Sequence, residues 1–306
     1  MKFNFSLPNN QQVTALTDPW MRALDGPDLA RIVREADAMG FHKVTVGEHF
    51  VIPREHVAAS GAHYMQSTTI LSYLAASAPT IRVGSNITLV ALQHPIVQAK
   101  MWGVLDWVSG GRTDINIGVG WLKEEFDLLG VDFHRRGKIV DEHVAAMIEL
   151  WSSDRPTFHG QFVDFDDIAV EPRPVQRPHP PLWFAGDAPA VARRVAKWGV
   201  GWSPYLTKPE QFPEFLDRVR NHREYTGQPL GVYYVLLNLE LGEEHQSRES
   251  GYDLAGWNAE HLVDELGRLG ELGVTEVSAP LTTVDSIDGY LDRLRWVSEE
   301  VMPKVP

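Results

Sequence analysis

The segment Ile81–Ile117, IRVGSNITLVALQHPIVQAKMWGVLDWVSGGRTDINI, changes its hydrophobic period twice. Ile81–Leu89 is rich in Ile and Val and predicts a strand. Pro95–Val108 opens with Pro at a first helical turn and predicts a helix, and Thr113–Ile117 predicts a second strand. Strand, helix and strand in succession form the unit from which parallel sheets are wound.

The alternation extends both ways. Upstream, strands at Lys2–Ser6 and Lys43–Val46 are followed by helices at Asp28–Met39 and Ser67–Ser77. Downstream, Lys138–Trp151 is helical, and four pairs follow: Leu182–Ala185 with Ala188–Trp198, Gly201–Pro204 with Pro209–Tyr225, Val232–Leu239 with Ala259–Leu272, and Glu276–Ala279 with Ser286–Val301. Eight strand–helix pairs close a (β/α)8 TIM barrel, whereas a doubly wound sheet more often stops at about five or six strands. The 306 residues suit one α/β barrel domain over 1–306.

Four long segments break the rhythm: Pro8–Pro27, Gly47–Gln66 and Val119–Gly137 after strands one, two and four, and Ser153–Pro181 after the fourth helix. The first three fall where strand C-termini point, the face on which barrel sites are built. The fourth, rich in Pro and Arg, predicts a small hairpin against the outside of the barrel. Gly-Val-Gly-Trp occurs at Gly118–Trp121, leaving a strand, and at Gly199–Trp202, entering one, so it marks no internal repeat.

Composition removes several function classes. A net charge of −13 repels nucleic-acid backbones. The absence of cysteine excludes disulfides, thiolate metal sites and a thiol nucleophile. No stretch approaches the roughly 20 apolar residues of a membrane helix, and Met1–Leu7 is too short for a signal peptide, so a cytoplasmic protein is expected.

Candidate chemistry lies at the strand ends. Glu48-His49 closes strand two, and a histidine beside a carboxylate can move protons near neutral pH, although a loop histidine bonded within its own turn fits the dipeptide equally well. His56 and His63 follow at intervals of seven, but Pro53 breaks the register and no metal site is expected. Ser85 and Asn86 put small, polar residues into an Ile/Val strand, which suits a close backbone approach to a ligand or a plain bulge. Gly118, Gly120 and Trp121, and Ala185, Gly186, Asp187 and Ala188, offer backbone amides and a helix start for an anion, with tight turns as the alternative. Asp187 would oppose a phosphate unless it caps that helix. Trp20, Phe50, Tyr64 and Tyr205 are candidates to line an apolar substrate pocket.

The run Gly118-Val119-Gly120-Trp121-Leu122-Lys123-Glu124-Glu125-Phe126, then Gly130, Phe133, Arg136-Gly137, Asp141-Glu142 and Leu150-Trp151, resembles the luciferase-like monooxygenase superfamily. It is most similar to the branch that uses the deazaflavin coenzyme F420. Gly160 with Phe162, the run Pro172–Pro181 and Gly199–Trp202 add to the likeness, which beyond Trp202 is architectural only.

The resemblance implies a homodimeric barrel with a flavin-like ring at its C-terminal face. It further implies a non-proline cis peptide at Ser85 and Asn86 behind the ring, cofactor contacts at Gly118, Gly120 and Trp121, and a phosphate near Ala185–Ala188. His49 would carry the proton, with Glu48 standing where relatives have Asp. Lys123 replaces the acid of the sugar-phosphate dehydrogenases, which disfavours such substrates. A basic patch drawn from Arg135, Arg136, Arg173 or Arg177 is expected for the oligoglutamate tail of F420. The expected activity is hydride transfer between F420 and a ketone, alcohol, imine or activated alkene. The alternatives are an FMN-dependent monooxygenase and a non-catalytic flavin-binding protein.

Overall fold

The computed structural model describes residues 1–236, 240–241, 247–248, 258–279 and 284–306. Eight parallel strands pair in sequence order into a closed barrel: β1 (Lys2–Ser6), β2 (Lys43–Val46), β3 (Arg82–Ser85), β4 (Thr113–Ile117), β5 (Leu182–Ala185), β6 (Gly201–Ser203), β7 (Gly231–Val235) and β8 (Val274–Ser278). Their helices are α1 (Gly26–Ala38), α2 (Ser67–Ser77), α3 (Pro95–Val108), α4 (Arg136–Ser152), α5 (Pro189–Trp198), α6 (Phe212–Arg220), α7 (Ala259–Glu271) and α8 (Ile287–Trp296). This is the expected (β/α)8 architecture. No helix among the described residues is long and apolar enough to cross a membrane.

Local chemistry explains the element limits. α1 starts two residues earlier than predicted because Asp25 and Asp28 form a reciprocal capping box around Pro27. Its buried Leu29, Ile32, Val33 and Ala36 recur at helical spacing and face the barrel. α3 begins with Pro95 and buries Ala99, Trp102 and Leu105, each large side chain contributing about 1.5–3 kcal/mol. α6 stops at Arg220, short of the predicted Tyr225, with Asn221 as its C-cap. Residues 237–239 of the predicted strand Val232–Leu239 lie outside the described residues.

β3 departs most from expectation. It ends at Ser85 rather than Leu89, the Asn86–Ile87 peptide is cis, and the chain rejoins β4 only at Thr88, which pairs with Ile117. The cis bond falls one residue later than the family resemblance implied. The segment after α4 forms the predicted hairpin, Phe158–His159 against Asp164–Phe165, fastened to α4 by Glu142, which accepts from the amides of Gln161, Phe162 and Val163.

The barrel interior is polar. Lys43 Nζ of β2 reaches across the lumen to Asp114 Oδ2 of β4 at 2.9 Å and Glu276 Oε2 of β8 at 2.6 Å. Asn4 Nδ2 donates to the same Glu276 oxygen at 2.9 Å, and Arg82 binds Asp114 Oδ1. The rings of Trp183 and Tyr233 flank the ammonium at 5.1 and 5.2 Å. Glycines make room for this: a Cβ on Gly84 would lie 3.1 Å from Lys43 Cδ, and one on Gly201 2.2 Å from the Trp183 ring. The small residue in β3 therefore serves a buried ion pair.

Burial alone would raise the Asp114 pKa, but Lys43 and Arg82 hold it down to about 2, below its ordinary 3.8. Burial pushes His42, 3.7 Å from Glu276, down to about 4, so it is neutral at pH 7. Because the folded Asp114 pKa is the lower one, its contribution is complete above pH 4 and is lost as pH falls through 2. That loss amounts to about 2 kcal/mol. Urea titrations from pH 4.5 down to about 2 are expected to show it, and Asp114→Asn should flatten that part of the profile while lowering stability at neutral pH.

Candidate active site

β2 delivers His49 to the C-terminal mouth. Directly after the strand, Gly47 passes between two neighbouring segments so closely that a Cβ would sit 2.9 Å from Gln11 Oε1 and 3.3 Å from the Asn86 carbonyl oxygen. Its amide donates to Asn10 Oδ1 at 3.0 Å. His49 follows, 8% exposed, with Nδ1 2.8 Å from Glu125 Oε2. The rings of Tyr64 and Trp121 stand edge-on at 4.8 and 6.0 Å.

The carboxylate beside His49 is therefore Glu125 and not the adjacent Glu48. Successive residues of an extended chain point to opposite sides, and Glu48 turns inward. Its Oε2 accepts from Thr88 Oγ1 at 2.6 Å and Leu89 N at 3.3 Å, and its Oε1 from Gln66 Nε2 at 3.2 Å and Ser67 N at 3.4 Å. Glu48 thus ties the strand-two loop to the start of α2 and to the chain behind Asn86–Ile87. Glu125 stands on the short helix Lys123–Leu128 and is fully buried. Its Oε1 accepts from Phe50 N at 2.6 Å and Val51 N at 3.2 Å. Sequence reading quoted Glu125 within its motif without a role, since no local pattern links positions 76 residues apart.

At the end of β3, Ser85 Oγ both donates to Asn116 O and accepts from Asn116 N, and Asn86 Oδ1 accepts from Asn116 Nδ2 at 2.8 Å. Gly118 and Gly120 serve packing: a Cβ on Gly118 would overlap Ile87, and one on Gly120, at φ +79°, would press on the Phe126 ring at 2.7 Å. At the end of β5, Asp187 does not cap α5. It accepts from the amides of Tyr205, Leu206 and Thr207 at 3.2, 2.9 and 3.1 Å and from the Thr207 hydroxyl. Ala188 is left as the N-cap of α5 without a side-chain bond.

The aromatic candidates divide. Tyr64 lies against His49, donates its hydroxyl to Ser60 O at 2.9 Å, and is pushed up in pKa by burial and by Glu125, so it stays protonated. Phe50 is half-buried beside the Glu125 contact, and Tyr205 is exposed. Trp20 packs elsewhere, at 5.7 Å from Tyr290 of α8. His63 bonds to Asn9 O, and His56 flanks Trp121 at 5.7 Å, so the three loop histidines do not converge.

The expected basic patch is dispersed. Arg135 lies over Phe162, and Arg136 lies over Phe133 and binds Gly120 O. Arg173, paired with Asp154, and Arg177 line a cleft with Trp107 at the C-terminal end of α3, at the opposite end of the barrel from the mouth.

Removing the Glu48 carboxylate leaves a hydroxyl and two buried amides without their acceptor. Glu48→Ala is expected to cost roughly 2–3 kcal/mol, read as a fall of several degrees in the thermal unfolding midpoint.

The family model for luciferase-like monooxygenases matches residues 1–262. The FMNH(2)-dependent dimethylsulfone monooxygenase of Pseudomonas putida is 33% identical over 139 residues, which span 44% of this chain and 38% of that protein. Among solved structures, the monooxygenase RslO1 of Streptomyces bottropensis superposes with a TM-score of 0.78 at 21% identity over 99% of both chains. An F420-dependent secondary alcohol dehydrogenase, solved with an F420–acetone adduct, superposes with a TM-score of 0.74 at 17% identity, covering 100% of this chain and 99% of that one. With its first seven strands and its loop after β4 inside the matched span, the chain belongs to the luciferase-like monooxygenase family.

Proposed function

We propose that the protein is an F420-dependent oxidoreductase that moves a hydride between the deazaflavin and a small uncharged substrate, a ketone or alcohol, an imine or an activated alkene. His49 would give or take the accompanying proton. The observation that carries this reading is the buried His49–Glu125 pair, 2.8 Å apart, at the barrel mouth between Tyr64 and Trp121. A buried imidazole held by a carboxylate is a competent general acid or base.

The residues present fit such a cofactor. Asp187 turns to the 205–207 amides, and α5 has neither a side-chain cap nor an acid in its first turn, so its first amides would receive a phosphate. Ala185, Gly186 and Ala188 would hold that phosphate, while Asn86 and Trp121 would border the ring. Phe50, Tyr64 and Tyr205 would exclude water from the substrate, and Lys123 pairs with Asp127 on the surface. When bound, the deazaflavin supplies two-electron hydride chemistry.

The second reading is an FMN-dependent monooxygenase, favoured by the named cofactor of the Pseudomonas relative. Titrating the purified protein with F420 and with FMN, followed by ring fluorescence, separates the two. Saturable F420 binding supports the first, and tight FMN binding without F420 binding sinks it. In the F420 case, His49→Ala is expected to bind cofactor while slowing turnover with small ketones by roughly 10²–10⁴-fold.

We further propose a homodimer formed through α2 and α3. These adjacent helices expose Tyr73, Val97, Trp107 and Val108, with Trp107 58% accessible in the single chain. Light scattering on a sizing column should give twice the 34.4 kDa chain mass, and Trp107→Glu should shift it toward the monomer.

A further inference from the structure

The Glu125 carboxylate makes two kinds of contact at once. Oε1 receives the amide protons of Phe50 at 2.6 Å and Val51 at 3.2 Å, while Oε2 faces His49 Nδ1 at 2.8 Å. A carboxylate is an acceptor, so the neutral imidazole must present N–H to it. We infer that Glu125 is a positioning residue that fixes the tautomer of His49, holding its proton on Nδ1 and making Nε2 the basic nitrogen. This rests on His49 as the proton carrier of the proposed reaction.

The consequence for an alcohol substrate is specific. Nε2 would take the O–H proton, while a bound deazaflavin would supply two-electron hydride chemistry by accepting the hydride of the carbinol carbon, leaving a carbonyl. The Nδ1–H of the ring would keep its bond to the buried Glu125 oxygen throughout. Carbonyl reduction runs the same transfers backwards from the imidazolium.

The geometry also predicts what an isosteric replacement does. Two backbone N–H groups require an oxygen at the Oε1 position, so a glutamine at 125 cannot turn its amide over. Its NH2 must face Nδ1, which then has to accept, and the proton moves to Nε2. A residue that only packs would leave the tautomer untouched.

Long-range 1H–15N spectra of histidine side chains in the labelled full-length protein read this directly at a pH where the ring is neutral. The His49 signals are assigned by their loss in His49→Gln. The expected pattern is Nδ1–H in the native protein and Nε2–H in Glu125→Gln, with the other histidine signals unmoved. A native protein showing Nε2–H at His49, or a folded Glu125→Gln that keeps Nδ1–H, overturns the inference. Should Glu125→Gln not fold, the native spectrum alone decides. Titration with F420 and FMN in parallel keeps the two claims apart: failure to bind either ring defeats the functional reading and leaves the tautomer assignment to stand or fall on the spectra.

Discussion

A lysine inside the barrel sets the terms for what surrounds it. Moving an ammonium out of water costs several kcal/mol, and Lys43 recovers this only because Asp114 and Glu276 meet it from strands on either side. With Arg82 on Asp114 and Lys2 3.8 Å from Glu276, three cations face two carboxylates, and His42 stays neutral beside them. Such a cluster adds little net stability over an apolar core. Its effect is on register, because a one-residue slip of β2, β4 or β8 would turn one charge outward and leave its partners buried alone. Gly84 and Gly201 follow from the same constraint, since the cluster and the Trp183 ring need the space a Cβ would take.

From this base the polar network rises to the mouth. Asn116, on the same strand as Asp114, bonds to Ser85 and Asn86 and so fixes the end of β3 against β4. Two buried carboxylates then hold the strand-two loop from opposite sides. Glu48 grips the start of α2 and Thr88, and Glu125 grips Phe50, Val51 and the His49 ring. Neither relies on a cation. Both are satisfied mainly by N–H and O–H donors whose positions the fold already determines, which leaves His49 little freedom to move.

What sequence reading recovered was local. The Pro at the start of α3, the Ile/Val content around β3 and the apolar period of each short segment report on a few neighbouring residues, and the eight-fold alternation follows from summing them. What it misjudged depended on distant partners. β3 was drawn through to Leu89 because Ile87 and Leu89 look like strand, whereas Asn86 N is held by Val46 O and the chain rejoins its neighbour only at Thr88. Asp187 would cap a helix starting at Ala188, but α5 starts one residue later, and Asp187 accepts from the amides of the 205–207 turn instead. Glu48 was paired with His49 because they are adjacent, and adjacency in an extended chain is what separates two side chains.

The division between base and mouth bears on how a cofactor could be discriminated. The charges lie at the first residues of β2, β3 and β4 and on β8, while the groups nearest the mouth, Ser85, Asn86, Asn116 and Ser203, are neutral dipoles. A planar ring across the opening would meet these dipoles from below. Hydroxyls and amides that are already bonded to one another are poor reporters of which ring lies above them. The aromatic side chains that meet at the opening stand in the loops above, His49 and Tyr64 after β2 and Trp121 after β4. Those two loops are joined by a buried carboxylate, Glu125, which bonds the His49 ring and the Phe50 amide.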